Sequence, residues 1–278
     1  MPERINLNIR FIGAYKNSVY FIDEKEEREY EINLRKKEIS EVLGKIYDGK
    51  KFVNYKVSTI INKDLKFKDF STKIIVDDTL IGVRTPILKN NAKSIFKGNY
   101  KEFLNICKPK TYEEKLIYGL IVGKIKEFNK ETIKYINKYS KMINNWALCD
   151  LFCSNIKFVK NNKEEVYNYI LNIINSDNLW IRRLCFVLLL NYYIEPKYID
   201  NIFKLCDTYN TNDYYVEMSV SWLISMCYVK EKDKTINYLN SNKLNAFTYN
   251  KAIQKIIESK RVTNKEKEEL RKKKRRKI

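Results

Sequence analysis

Trp146-Ala147-Leu148-Cys149-Asp150, Trp180-Ile181-Arg182-Arg183 and Tyr214-Tyr215-Val216-Glu217 are the stretches on which the fold turns. Their leading aromatic residues recur at a spacing of 34, and each opens an apolar run of helical periodicity. Such a recurrence fits helix pairs stacked one on the next, somewhat short of a typical HEAT unit. A generic helical bundle is the plain alternative. Regular recurrence, short connections and the absence of Gly- or Pro-rich linkers favour the stack.

Working outward, further helices are expected at Leu116–Ile125, Glu131–Ile143, Asn145–Cys153, Glu164–Ile174, Leu179–Tyr193, Pro196–Tyr209, Tyr214–Val229, Lys232–Leu239 and Ala246–Ser259. Thr111-Tyr112-Glu113-Glu114 spells a capping box. Ile81 to Pro86 reads as a turn that launches a helix, with Pro86 suited to its first position. Glu38–Tyr47, Phe52–Ile61 and Phe67–Ile74 are shorter amphipathic stretches. Ahead of them, Ile5–Phe11, Val19–Ile22 and Tyr30–Leu34 alternate apolar and polar residues, as a small β-meander does. The expected fold class is thus all-α, a helical-repeat solenoid, with a β-rich extension over 1–34 and a helical domain over 35–262. The basic tail, 263–278, is too charged to bury a face and is expected to fray.

Lys and Arg number 54 against 34 Asp and Glu, a net +20, which points to a polyanion partner. Compositional bias is the competing account of that charge. There is no histidine, so Ser-His-Asp and Cys-His catalysis and His-based metal sites are excluded. None of the six cysteines forms a CxxC pair, and reduced core thiols are the expected reading. The first ten residues hold no apolar signal core, and the run Leu184–Leu190 is too short to span a bilayer. A cytoplasmic monomer with no metal or organic cofactor is expected.

On a helix Trp146 shares a face with Asp150, and Trp180 with Arg183. A carboxylate and a guanidinium beside indoles are suited to a cleft that stabilises positive charge. Plainer readings stand beside this one. Asp150 as a surface carboxylate, Trp146 and Trp222 as core anchors, and Arg182 and Arg183 as a solvated face would each satisfy the pattern.

The chain resembles the DNA alkylation repair (AlkD-like) glycosylases, built of HEAT-like repeats. The resemblance is carried by Leu80–Pro86, Asn144–Asp150, Trp180–Arg183, Tyr214–Trp222 and Asn250–Ser259 in order, and runs from about Phe52 to about Arg261. It implies removal of cationic N3- and N7-alkylated purines from double-stranded DNA by hydrolysis of the N-glycosidic bond. It further implies Asp150 as the catalytic carboxylate, Arg183 (rather than Arg182) as its guanidinium partner, and Trp146 and Trp222 as the lesion-facing indoles. Arg183 would grip a backbone phosphate. Arg84, Trp180, Arg182, Tyr215, Lys251, Lys255 and Arg261 are expected to contact DNA. The family's N-terminal tyrosine has no counterpart before Gly82, where this chain offers Phe70 and Lys73. A catalytically silent nucleic-acid binder and a protein-interaction solenoid are the rival readings.

Overall fold

The structure, a computed structural model, describes residues 9–15, 18–23, 28–33, 64–209 and 211–275. The expected helices at Glu38–Tyr47 and Phe52–Ile61 lie outside the described residues. Contacts between Cα atoms divide the chain between Lys124 and Ile125 into two compact units.

In the first unit, β1 (Ile9–Tyr15), β2 (Ser18–Asp23) and β3 (Arg28–Asn33) form an antiparallel meander in the order β1-β2-β3. The register of β1 on β2 slips between Phe11 and Gly13, so the strand continues through a bulge where the sequence suggested an end. Helices α1 (Leu65–Thr72), α2 (Thr85–Lys97), α3 (Tyr100–Ile106) and α4 (Tyr112–Val122) follow. Helix α3, capped by Asn99, was not anticipated. Thr111 and Glu114 close the expected capping box at the start of α4.

The turn before α2 is held by an unusual carboxylate. Glu113 is fully buried and accepts hydrogen bonds from the backbone N–H groups of Ile81 (3.0 Å), Gly82 (2.7 Å) and Val83 (3.2 Å). Three consecutive donors aimed at one carboxylate require a tight, concave backbone, and Gly82 supplies it at φ +103°. A Cβ there would lie 2.6 Å from that of Lys68 and 2.9 Å from the Asp64 carbonyl oxygen. Gly82→Ala is therefore expected to destabilise this unit by about 2 kcal/mol or more. Urea denaturation checks it, and a change within error would mean that the turn relaxes without cost.

The second unit is a two-layer stack of helices. Helices α6 (Trp146–Ser154), α8 (Leu179–Tyr192), α10 (Tyr214–Lys230) and α12 (Ala246–Glu258) form one layer, each packed on the next. The other helices are α5 (Lys130–Ser140), α7 (Lys163–Ile173), α9 (Ile199–Tyr209), α11 (Lys232–Ser241) and α13 (Asn264–Lys272). Of these, α5 and α7 pack on α8, α11 on α10 and α9, and α13 on α12. A 3-10 turn, Phe158–Lys160, links α6 to α7. The fold class is the expected all-α helical-repeat solenoid. All six cysteines are buried free thiols.

Repeat periodicity becomes visible at the helix starts. Asn145, Asn178, Asp213 and Asn245 each turn a side-chain oxygen onto backbone N–H groups of the first turn of α6, α8, α10 and α12. Within two residues of each cap comes an aromatic residue: Trp146, Trp180, Tyr214 with Tyr215, and Phe247. The recurrence of 34 is thus the recurrence of one capped helix start.

The C-terminal stretch departs from expectation. Instead of fraying, Asn264–Lys272 is helical, with Thr263 and Glu266 forming a second capping box. Leu270 is buried, Glu266 pairs with Lys232, and Arg275 stacks over Tyr249 at 4.0 Å. One apolar residue and a cap suffice because α12 offers a ready surface, and overall charge hides both features. Lys232, then Thr263, hold the Glu266 carboxyl down at about 2 from 4.5. Its contribution is therefore complete above pH 4.5 and is lost as pH falls through about 2. Amide NMR signals of residues 264–272 should shift together in that window. A Glu266 titration at the ordinary 4.5 would contradict the docking.

Candidate active site

Asp150 sits one turn into α6, half-buried, on the same face as half-buried Trp146. Across from it, α8 is buried at every position from Arg183 to Leu190. Arg183, 6% exposed, is the one charged residue in that run. A buried guanidinium must be paired, and it is. Its Nε donates to Asp150 Oδ1 at 3.1 Å and its Nη2 to Oδ2 at 2.7 Å, a bidentate fork. Nη1 donates at 2.7 Å to the main-chain carbonyl of Tyr215 on α10. One side chain thereby ties three successive helices. Burial works against its charge, but the hydrogen bonds and charge of Asp150 outweigh that and hold its proton more firmly than usual.

This overturns one expectation. Arg183 was expected to grip a DNA phosphate, yet it is buried and its Nε, Nη1 and Nη2 already donate to protein acceptors. Arg182 faces elsewhere: its Nη2 donates to the Ser176 carbonyl at 2.8 Å, and its buried Nε has no hydrogen-bond partner among the described residues. The Asp150 side chain retains 18% exposure. With one lone pair on each oxygen directed at Arg183, the remaining lone pairs stay available.

Tyr215 and Trp222 are seven positions apart on α10 and share a face. With Met218 and Met226 they make the half-exposed stripe of a helix otherwise largely buried. Trp180 meets Tyr215 ring to ring at 4.7 Å, and Tyr215 meets Tyr214 at 5.4 Å. Tyr214, 56% exposed, reaches Phe247 at 6.1 Å, and Lys251 stands over that ring at 5.6 Å. Lys255 lies half-buried in the last turn of α12, and Arg261 is exposed beyond it. In the other unit, Arg84 pairs with Asp64 at 2.9 Å. The Asp64 carboxyl is held below its usual range by the Phe67 N–H and by Arg84. The sequence reading passed over Phe247, for which the repeat spacing from Tyr214 was the available signal. It also passed over a cleft of about 710 Å³ lined by Lys126, Lys157, Lys160 and Lys163.

A family model described as DNA alkylation repair enzyme matches residues 62–256. The chain belongs to that family. A search of curated proteins found no match. The segment matched to the DNA alkylation repair enzymes contains the whole Asp150–Arg183–Tyr215 arrangement and Trp222, and stops short of α13. Membership supports a DNA repair enzyme that acts on DNA. No described helix is long and apolar enough to cross a membrane.

The ion pair has a measurable signature in a DNA alkylation repair enzyme of this geometry. Arg183→Met strips the fork from Asp150 and the donor from Tyr215, and is expected to cost about 3 kcal/mol. Asp150→Asn keeps an acceptor for Arg183 and should cost about 1–2 kcal/mol. Urea midpoints at constant m report both, and losses below about 0.5 kcal/mol in each would mean that the pair is absent in solution.

Proposed function

We propose that this protein is a DNA glycosylase that hydrolyses the N-glycosidic bond of N3- and N7-alkylated purines in duplex DNA. The observation that carries the reading is a half-buried carboxylate, Asp150, held bidentately by a buried arginine beside an aromatic helix edge. Rupture of a bond to a cationic base leaves oxocarbenium character on the deoxyribose. The free lone pairs of Asp150 stabilise that charge and orient the attacking water. As water adds to C1′, the electrons of the C1′–N bond return to the base and neutralise it. Its leaving therefore needs no strong general acid, in keeping with a chain that lacks histidine.

In this reading Arg183 is a positioning residue: its bidentate hydrogen bonds fix the orientation of Asp150. The indole faces of Trp146 and Trp222 attract the cationic base and sugar. Trp180, Arg182, Tyr215, Lys251, Lys255, Arg261 and Arg84 are proposed DNA contacts. The enzyme is proposed to act as a cytoplasmic monomer.

Single-turnover base release from N7-methylguanine duplex at saturating enzyme tests the reading. Asp150→Asn should slow release on the order of a hundredfold while duplex affinity holds or rises slightly. Equal rates would remove Asp150 from catalysis. If the wild type binds duplex but releases neither N7-methylguanine nor N3-methyladenine, the silent binder replaces the enzyme.

A further inference from the structure

Beyond the ion pair, the aromatic edge continues to a cleft of which the repair reading uses Lys251 alone. Phe247, on the first turn of α12, is 37% exposed and opens on a space of about 700 Å³. Lys251, Gln254 and Lys274 line it together with Asn250, and among the described residues no acidic side chain lines it. Lys274 comes from the tail and is placed there by its neighbours. Its Nζ donates to Gln254 Oε1 at 2.8 Å, while Gln254 Nε2 donates to Glu258.

The tail itself is fastened along α12. Asn250 exchanges two hydrogen bonds of 2.8 Å with the main chain of Arg275. The Arg275 guanidinium covers Tyr249 and donates to the Leu244 carbonyl at 2.5 Å and to Asn242 Oδ1 at 3.0 Å. Lys274 and Arg275 both lie beyond residue 256, where the family match ends. The cleft is therefore completed by residues outside the matched segment.

We infer that this cleft holds one unpaired nucleotide of a DNA strand, its base stacked on Phe247 and its phosphate between Lys251 and Lys274. A part-exposed ring with one lysine over it and a second lysine across the cleft offers an unstacked base a surface and its phosphate two cations, and every base has a face to stack. The alternative occupant, an acidic peptide, would use the lysines and leave the ring idle. Ring contacts running from Phe247 through Tyr214 and Tyr215 to Trp180 also connect the cleft to the helix ends that carry Arg183. The inference rests on the DNA-repair reading for its choice of polyanion.

The test uses the full chain and two labelled, undamaged duplexes, one blunt and one with a short single-stranded overhang, followed by fluorescence anisotropy. The wild type should prefer the overhang by about tenfold, the scale of one base stacked on an aromatic ring. Phe247→Ala and the apolar but ring-less Phe247→Leu should both erase the preference, and Phe247→Trp should keep it. Lys274→Ala should weaken overhang binding about threefold and lower the slope of log affinity against log salt by about one. Equal wild-type affinity for the two duplexes, or a preference that survives both Phe247→Ala and Phe247→Leu, overturns the inference. So does displacement of the overhang by polyglutamate that is lost in Lys274→Ala and unchanged in Phe247→Ala, which would assign the cleft to acidic peptide. Binding here is read at equilibrium without damage, whereas the repair reading is judged by base release from blunt methylated duplex. Either can therefore fail alone.

Discussion

A charged residue at the head of the buried run of a helix is the constraint from which the second unit is best understood. Helix α8 is packed by α6 on one side and α10 on the other, which leaves Arg183 only 6% exposed. An unpaired guanidinium in that position would be prohibitive. Its three acceptor atoms come from both neighbours, so the helices must sit at the separation that the fork allows. The same edge is tied again one helix further on. Glu217 of α10, itself buried, accepts from Asn245 Nδ2 at 2.7 Å while Asn245 Oδ1 caps α12. Polar bonds thus run from α6 to α12 across the helix starts, where backbone N–H groups add partial positive charge. A carboxylate held at such an edge lies beside a surface suited to a polyanion.

Much of this was legible in the sequence because it obeys local rules. The spacing of Trp146, Trp180 and Tyr214 marked equivalent helix starts, and Thr111 with Glu114 marked a cap that the structure reproduces. The tail was misread for a physical reason: Thr263 and Glu266 spell the same capping box, but sixteen positions of mostly charged sequence drown the one apolar residue, Leu270, that docks it. Arg183 was picked out together with Asp150, but the phosphate grip also expected of it does not survive its burial. An arginine reads alike whether it meets a phosphate or a carboxylate 33 residues away, and only packing decides between them. Short helix α3, with one turn of buried residues, carries too little periodicity to be seen.

The carboxylates of this chain also divide by what surrounds them. Glu113, sealed by three backbone donors, is an architectural anion that shapes the turn around Gly82. Asp150 is held by one side chain and keeps part of its surface open. The contrast separates a carboxylate that builds structure from one placed to act on something outside it.

The reach of the bonds between repeats has a consequence for how the chain acquires its shape. Lys197 with Glu164, Lys234 with Asp200, and Tyr238 with Asp207 join residues 33, 34 and 31 positions apart, each linking one repeat to the next. Such contacts close only short loops, so order can nucleate in one helix pair and propagate along the chain without a search for distant partners. Unfolding would then start at the ends and move inward, and the fork between α6 and α8 would be shielded by every repeat that follows it.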